Sequence, residues 1–183
     1  MEDETPTSLT KQPGFVLVMC LIVCLMVGFL GSQASMAGLQ GWYQSLNKPA
    51  FNPPAWLFAP VWTALYIMMG VALFQVWQAK TSDSRKAALA AFFVQLFLNG
   101  IWSWIFFAWH KLPVAFFEII ALDIAIVATI LIFRKVKGSA AWLMVPYLAW
   151  CCFATLLCFS IWRMNSTGTN LTDQSIRVDL GTQ

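Results

Sequence analysis

Five apolar stretches, each long enough to cross a bilayer, occupy most of this 183-residue chain. They lie near residues 14–36, 56–79, 86–109, 113–133 and 140–162. A helix rises about 1.5 Å per residue, so roughly 20 apolar residues cover the roughly 30 Å of hydrocarbon in a membrane. The expected fold is all-α: a membrane protein with one five-transmembrane-helix bundle over residues 14–163. Residues 1–13 form a polar N-terminal tail. Residues 164–183, rich in Ser, Thr, Asn and Gly, read as a disordered C-terminal tail.

Composition agrees with a lipid-facing surface. Only 10% of residues are charged and 60% are hydrophobic, whereas a soluble domain carries roughly a quarter charged residues. The first stretch exceeds the usual apolar core of a secretory signal and follows the acidic Glu2, Asp3 and Glu4, so it reads as a permanent helix. Eleven Lys and Arg against eight Asp and Glu give +3, too small and too scattered for a nucleic-acid footprint. The five cysteines, Cys20, Cys24, Cys151, Cys152 and Cys158, are odd in number and sit in apolar runs. They read as small core residues rather than a disulfide framework. No metal or cofactor motif is present. The cationic loops give an orientation. Lys11, Lys80, Arg85, Lys86, Arg134, Lys135 and Lys137 make seven on one side, and Lys48, Lys111, Arg163 and Arg177 make four on the other. Positive charge stays cytoplasmic during insertion, which places the N-terminus in the cytoplasm and the first loop outside.

That first loop, residues 37–55, is the long connection and is rich in Gly, Pro, Asn and aromatic residues. Pro49, Pro53 and Pro54 bias it to ordered, extended backbone, which makes a stiff lid and a place to look for function. Ten tryptophans serve the chain. Trp42, Trp77, Trp109, Trp142 and Trp162 suit an interfacial belt. Trp56, Trp62, Trp102, Trp104 and Trp150 lie within a turn or two of the loop side, where several are expected to line a pocket for a flat aromatic ligand. Asn99, Gln95, Gln75 and Gln78 are expected to hydrogen-bond between helices. Glu118 and Asp123 are ionisable groups inside the fourth span, each requiring a partner or a function. Five positions apart, they point about 140° from each other around a helix and cannot act as a carboxylate pair.

The run Trp42-Tyr43-Gln44-Ser45-Leu46-Asn47-Lys48-Pro49-Ala50-Phe51-Asn52-Pro53-Pro54-Ala55-Trp56 resembles the first-loop signature of the tryptophan-rich sensory protein or translocator protein (TspO/MBR) family. Ala59-Pro60-Val61-Trp62, with Leu65-Tyr66 and Met69-Gly70, continues the likeness. So do Gln95, Leu98-Asn99, Trp102 and Phe106-Phe107 in the third span, and Pro146-Tyr147-Leu148-Ala149-Trp150 with Phe153-Ala154-Thr155 in the fifth. The resemblance implies a five-helix bundle, commonly a homodimer in the lipid bilayer, whose cavity under the first loop binds porphyrins and, in animal members, cholesterol and drugs. By motif, Trp42, Phe51, Trp62, Asn99, Trp102, Phe106, Trp150 and Ala154 would line or close that cavity. Lys48, near its mouth, is a cation that could meet a porphyrin propionate. No cofactor is implied beyond a porphyrin, such as protoporphyrin, as ligand.

Three departures shape the expected function. Phe51 stands where the family's motif usually has the tryptophan linked to porphyrin photochemistry, which keeps a stacking face but loses an oxidisable indole. Cys158 replaces an asparagine found in many relatives. Phe159 and Ser160 occupy the positions where the animal cholesterol motif needs a tyrosine before Arg163, which argues against sterol binding. The expected function is a membrane receptor or sensor for porphyrin-like ligands. The alternatives are light-dependent porphyrin degradation, against which Phe51 counts, and transport of an apolar ligand, for which Asp123 would matter.

Overall fold

The computed structural model describes residues 12–39 and 41–166. Of the two expected tails, residues 1–11 and 167–183 lie outside the described part, and 164–166 continue the last helix. Five long helices are present: α1 (Pro13–Leu39), α3 (Ala55–Trp77), α4 (Asp83–Ser103), α5 (Leu112–Val136) and α6 (Gly138–Ser166). A one-turn helix, α2 (Trp42–Ser45), sits in the first loop, and α4 runs on into a π-helical turn, Trp104–Ala108. Each long helix, α4 taken with its π turn, is long and apolar enough to cross a membrane. No strand occurs among the described residues. The chain is an all-α, multi-pass integral membrane protein built as a five-helix bundle.

The helices form a closed ring. α1 packs between α3 and α4, α4 against α5, α5 against α6, and α6 back onto α3, while α3 and α4 also meet across the interior. Lipid tails are as apolar as leucine, so burial from water does not drive this association; close packing and interhelical hydrogen bonds do. Gly28 shows the packing requirement. A Cβ there would overlap the Tyr66 ring, so the glycine lets α3 seat a tyrosine against the α1 backbone. Tyr66 then donates its hydroxyl hydrogen to the Asn99 side-chain oxygen, which ties α3 to α4.

Two apolar cores fill the ring. The larger contains Met69, Val76, Phe92, Ile126, Phe133 and Met144, all fully buried. The smaller lies at the first-loop end, where Tyr43, Phe106, Leu157 and Ile161 meet. At the other end the connections are short. Ser82 caps α4 by accepting from the Arg85 amide at 3.2 Å, and Asp83 complements the positive helix start. Arg85 donates from Nε to the Val76 carbonyl (3.3 Å) and from Nη1 to Thr81 (3.1 Å), and lies over the Trp77 ring. Pro60 stands in the second turn of α3, which begins at Ala55.

Candidate functional site

The first loop is folded around Tyr43. Its hydroxyl donates to Asn52 Oδ1 at 2.8 Å, and Asn52 Nδ2 donates to the Pro53 carbonyl. Burial pushes the Tyr43 hydroxyl above its ordinary pKa of 10.0. Lys48 folds back onto the same unit: its ammonium donates to the carbonyls of Gln44 (3.2 Å) and Leu46 (3.0 Å) and lies 5.0 Å from the Tyr43 ring centre. The cation expected at the pocket mouth is thus engaged with the end of α2.

The loop meets the end of α4 through aromatic rings. Trp42 stacks on His110 (4.2 Å between centres) and sets its edge against Phe106 (5.7 Å), while Tyr43 touches both Phe106 and Phe107. The π turn makes this possible. Trp109 donates its amide five residues back, to the Trp104 carbonyl at 2.8 Å, and Lys111 donates to the Ile105 carbonyl, so the helix widens before the chain turns at His110 with φ +55°. α1 closes on the same turn, where a Cβ on Gly38 would come within 2.6 Å of the Phe107 carbonyl oxygen.

Below this rim the aromatic contacts continue inward. Phe106 stacks on Trp102 at 5.1 Å, one helical turn earlier on α4. Trp102 packs against both cores, and its indole nitrogen donates to the Ala115 carbonyl on α5 at 3.2 Å. Trp62 on α3 packs against Tyr66 and Tyr147, and Trp150 on α6 packs against Phe58 and Phe153. The Trp150 indole nitrogen is buried with no hydrogen-bond partner. The Tyr147 hydroxyl, on the same helix, lies beside Asn99 and Cys151 but outside hydrogen-bonding geometry.

The expected residues therefore divide into three groups. Trp42, Phe106 and Trp102 are joined ring to ring. Trp62, Trp150 and Ala154 pack on the larger core, and Asn99 is reached from Trp62 through Tyr66. Phe51 is exposed and touches only the rim of this set, through Phe153, which in turn touches Trp150. Two tryptophans considered for the pocket face outward instead: Trp56 is 72% exposed and Trp104 is 40% exposed. Trp56 lies in the first turn of α3, and Trp104 opens the π turn and borders an apolar groove between α1 and α4.

The intramembrane polar groups also divide. Asp123 Oδ2 accepts from the Thr155 hydroxyl at 2.7 Å, joining α5 to α6, and Ser139 donates to the Gln75 side-chain oxygen, joining α6 to α3. Gln95 does not form the interhelical bond expected of it: both amide atoms are buried without a partner. The Glu118 oxygens are likewise buried and unpartnered. Among the described residues, no group of three or more His, Cys, Asp or Glu is placed to hold a metal ion. Sequence reasoning missed Phe58, His110 and Asn165. The Asn165 side chain makes three hydrogen bonds near the loop, and no periodicity in the sequence signals them.

Ring, loop and aromatic interior together define a class: a five-helix membrane protein with a capped, aromatic-rich interior between α3, α4 and α6. The TspO/MBR family model matches residues 20–163. The chain belongs to the TspO/MBR family. It is 41% identical over 152 residues to the tryptophan-rich protein TspO of Archaeoglobus fulgidus, covering 82% of this chain and 97% of that one. It is 36% identical over 139 residues to the human translocator protein, covering 75% and 82% respectively. The tryptophan-rich sensory protein of Cereibacter sphaeroides is 37% identical over 124 residues, covering 68% of this chain and 77% of its own.

Proposed function

We propose that this protein is a membrane receptor for a flat, porphyrin-like ligand, held among the aromatic side chains beneath the first loop. One observation carries the reading. Trp150 presents a buried indole N–H with no acceptor among the described residues. Such a donor is costly when unpaired, and a ligand carrying a nitrogen or oxygen acceptor beside a wide π face would satisfy it while stacking on the neighbouring rings. Trp102 differs, because its N–H is already spent on Ala115. The names sensory protein and translocator protein, borne by relatives, suit a receptor reading.

The test is a dark titration of purified protein with protoporphyrin, followed by quenching of its tryptophans. Trp150→Ala should weaken binding at least tenfold, about 1.4 kcal/mol. Trp150→Phe, which keeps a ring and removes the donor, separates stacking from the hydrogen bond. Unchanged affinity in both would remove Trp150 from the site. Repeating the titration under illumination asks whether bound porphyrin is merely held or is also degraded.

The protein is further proposed to act as a homodimer, testable by its mass in detergent. The cationic side, carrying Lys80, Arg85, Lys86, Arg134, Lys135 and Lys137, is proposed to face the cytoplasm, with the first loop outside. An impermeant amine reagent applied to intact cells should then modify Lys111 and spare Lys135. Sterol is not proposed as a ligand, since Phe159 and Ser160 replace the tyrosine that the animal motif requires.

A further inference from the structure

Asn165, in the last turn of α6, holds the first loop by its backbone. Its Oδ1 accepts from the Asn47 amide at 3.0 Å, and its Nδ2 donates to the Asn47 carbonyl at 3.0 Å. One side-chain amide thus satisfies both backbone groups of one loop residue 118 positions away, as a neighbouring strand would. The second Nδ2 hydrogen goes to the Ile161 carbonyl at 2.7 Å, which fixes the side chain before the loop arrives. This geometry selects asparagine. Aspartate of the same size offers acceptors only, and would set a carboxylate against the Asn47 carbonyl.

The loop that Asn165 holds is a unit. The Tyr43–Asn52 bond, the Lys48 ammonium on the carbonyls of Gln44 and Leu46, and three prolines organise it internally. It also meets the bundle through apolar contacts: Trp42 and Tyr43 on the α4 end, Phe51 on Phe153, and Leu46 on the smaller core. Apolar contacts tolerate sliding, whereas a paired amide fixes register. The Asn165–Asn47 pair is solvent-accessible, so water can replace it at modest net cost, as a part that must open requires.

We propose that Asn165 is the clasp that seats the first loop over the bundle and sets the rate at which ligand enters and leaves. The ligand half of this statement rests on the receptor reading above; the seating of the loop does not. Asn165 is a positioning residue and need not touch ligand.

The experiment compares the wild-type chain, Asn165→Ala and Asn47→Ala by hydrogen exchange of the loop amides without ligand and by stopped-flow mixing with protoporphyrin. Asn165→Ala, which removes both bonds to Asn47, should exchange the Asn47 amide about tenfold faster or more, and speed porphyrin association and dissociation together by about the same factor. The thermal midpoint should stay near wild type, because no core contact changes. Asn47→Ala should behave as wild type, since both bonds reach the backbone, and this outcome separates the clasp from a general need for polar residues there. Unchanged exchange at residue 47 in Asn165→Ala would overturn the clasp, and faster exchange with unchanged porphyrin rates would overturn its control of ligand passage. If wild type binds no protoporphyrin, the receptor reading fails, while exchange at residue 47 still decides whether Asn165 seats the loop.

Discussion

The two ends of the bundle are closed in opposite ways. At the end carrying Arg85, one residue, Lys137, joins α5 to α6, and residues 78–82 join α3 to α4. Short connections leave the chain few alternatives, and Arg85 and the Ser82 cap secure the longer one. At the opposite end the chain spends residues 41–54 on a loop with its own helix, hydrogen bonds and aromatic face. Polar partners and rings hold this closure against α4 and α6, so it can separate from the bundle without unravelling a membrane helix. One end is organised for permanence, the other for access.

The sharpest way to break this contrast is to substitute a glycine at each end. Gly38→Ala should destabilise the loop end by about 1–3 kcal/mol, because the new methyl meets the Phe107 backbone carbonyl, which cannot rotate aside. The thermal midpoint and exchange of the residue 42–45 amides would show it; a wild-type midpoint would mean that α1 does not press on the π turn. Arg85→Ala should come next. It removes two hydrogen bonds and a cation–π contact and should lower stability by about 1–2 kcal/mol. Protoporphyrin affinity should not change, and a loss of binding would show that the two ends are coupled.

Tyr43→Phe should have a smaller effect, about 0.5–1.5 kcal/mol, through the lost bond to Asn52. It should speed loop exchange without moving Arg85-end amides. The same bond gives a pH signature. Because burial raises the Tyr43 pKa above 10.0, the folded loop favours the neutral hydroxyl. Its contribution is complete below pH 10 and is lost as pH rises through the raised value. Loop exchange that accelerates already near neutrality, beyond the intrinsic rate, would count against this. Gly138→Ala should do least, within about 0.5 kcal/mol, since nothing lies within 4 Å of the added methyl. A large loss there would show that the Arg85 end is packed more tightly than its geometry indicates.

Much of the architecture was legible because the hydrocarbon thickness imposes one length on every span. The inward packing of Trp62, Trp102 and Trp150 against the core also followed from their distance to the first loop. Trp56 and Trp104 did not, because inward and outward directions on a uniformly apolar helix depend on its rotation within the ring, and an all-apolar sequence carries no face to read. The same lack of contrast hid Gln95, whose polarity suggested a partner that the ring does not provide. Lys48 was identified as a cation near the mouth, but whether it faced ligand or the carbonyls of α2 depended on the loop's local fold.

By itself the sequence determined five helices, their approximate ends, the one long loop and, through its motifs, membership of the TspO/MBR family. These depend on local quantities: run length, proline and glycine placement, and residue identity. The tertiary structure alone decided that α4 ends in a π turn, that Trp42 rests on His110, and that Asn165 grips Asn47 across 118 positions. Those contacts join residues far apart in the chain. Their energies exist only once the ring of helices has closed, so no local pattern records them.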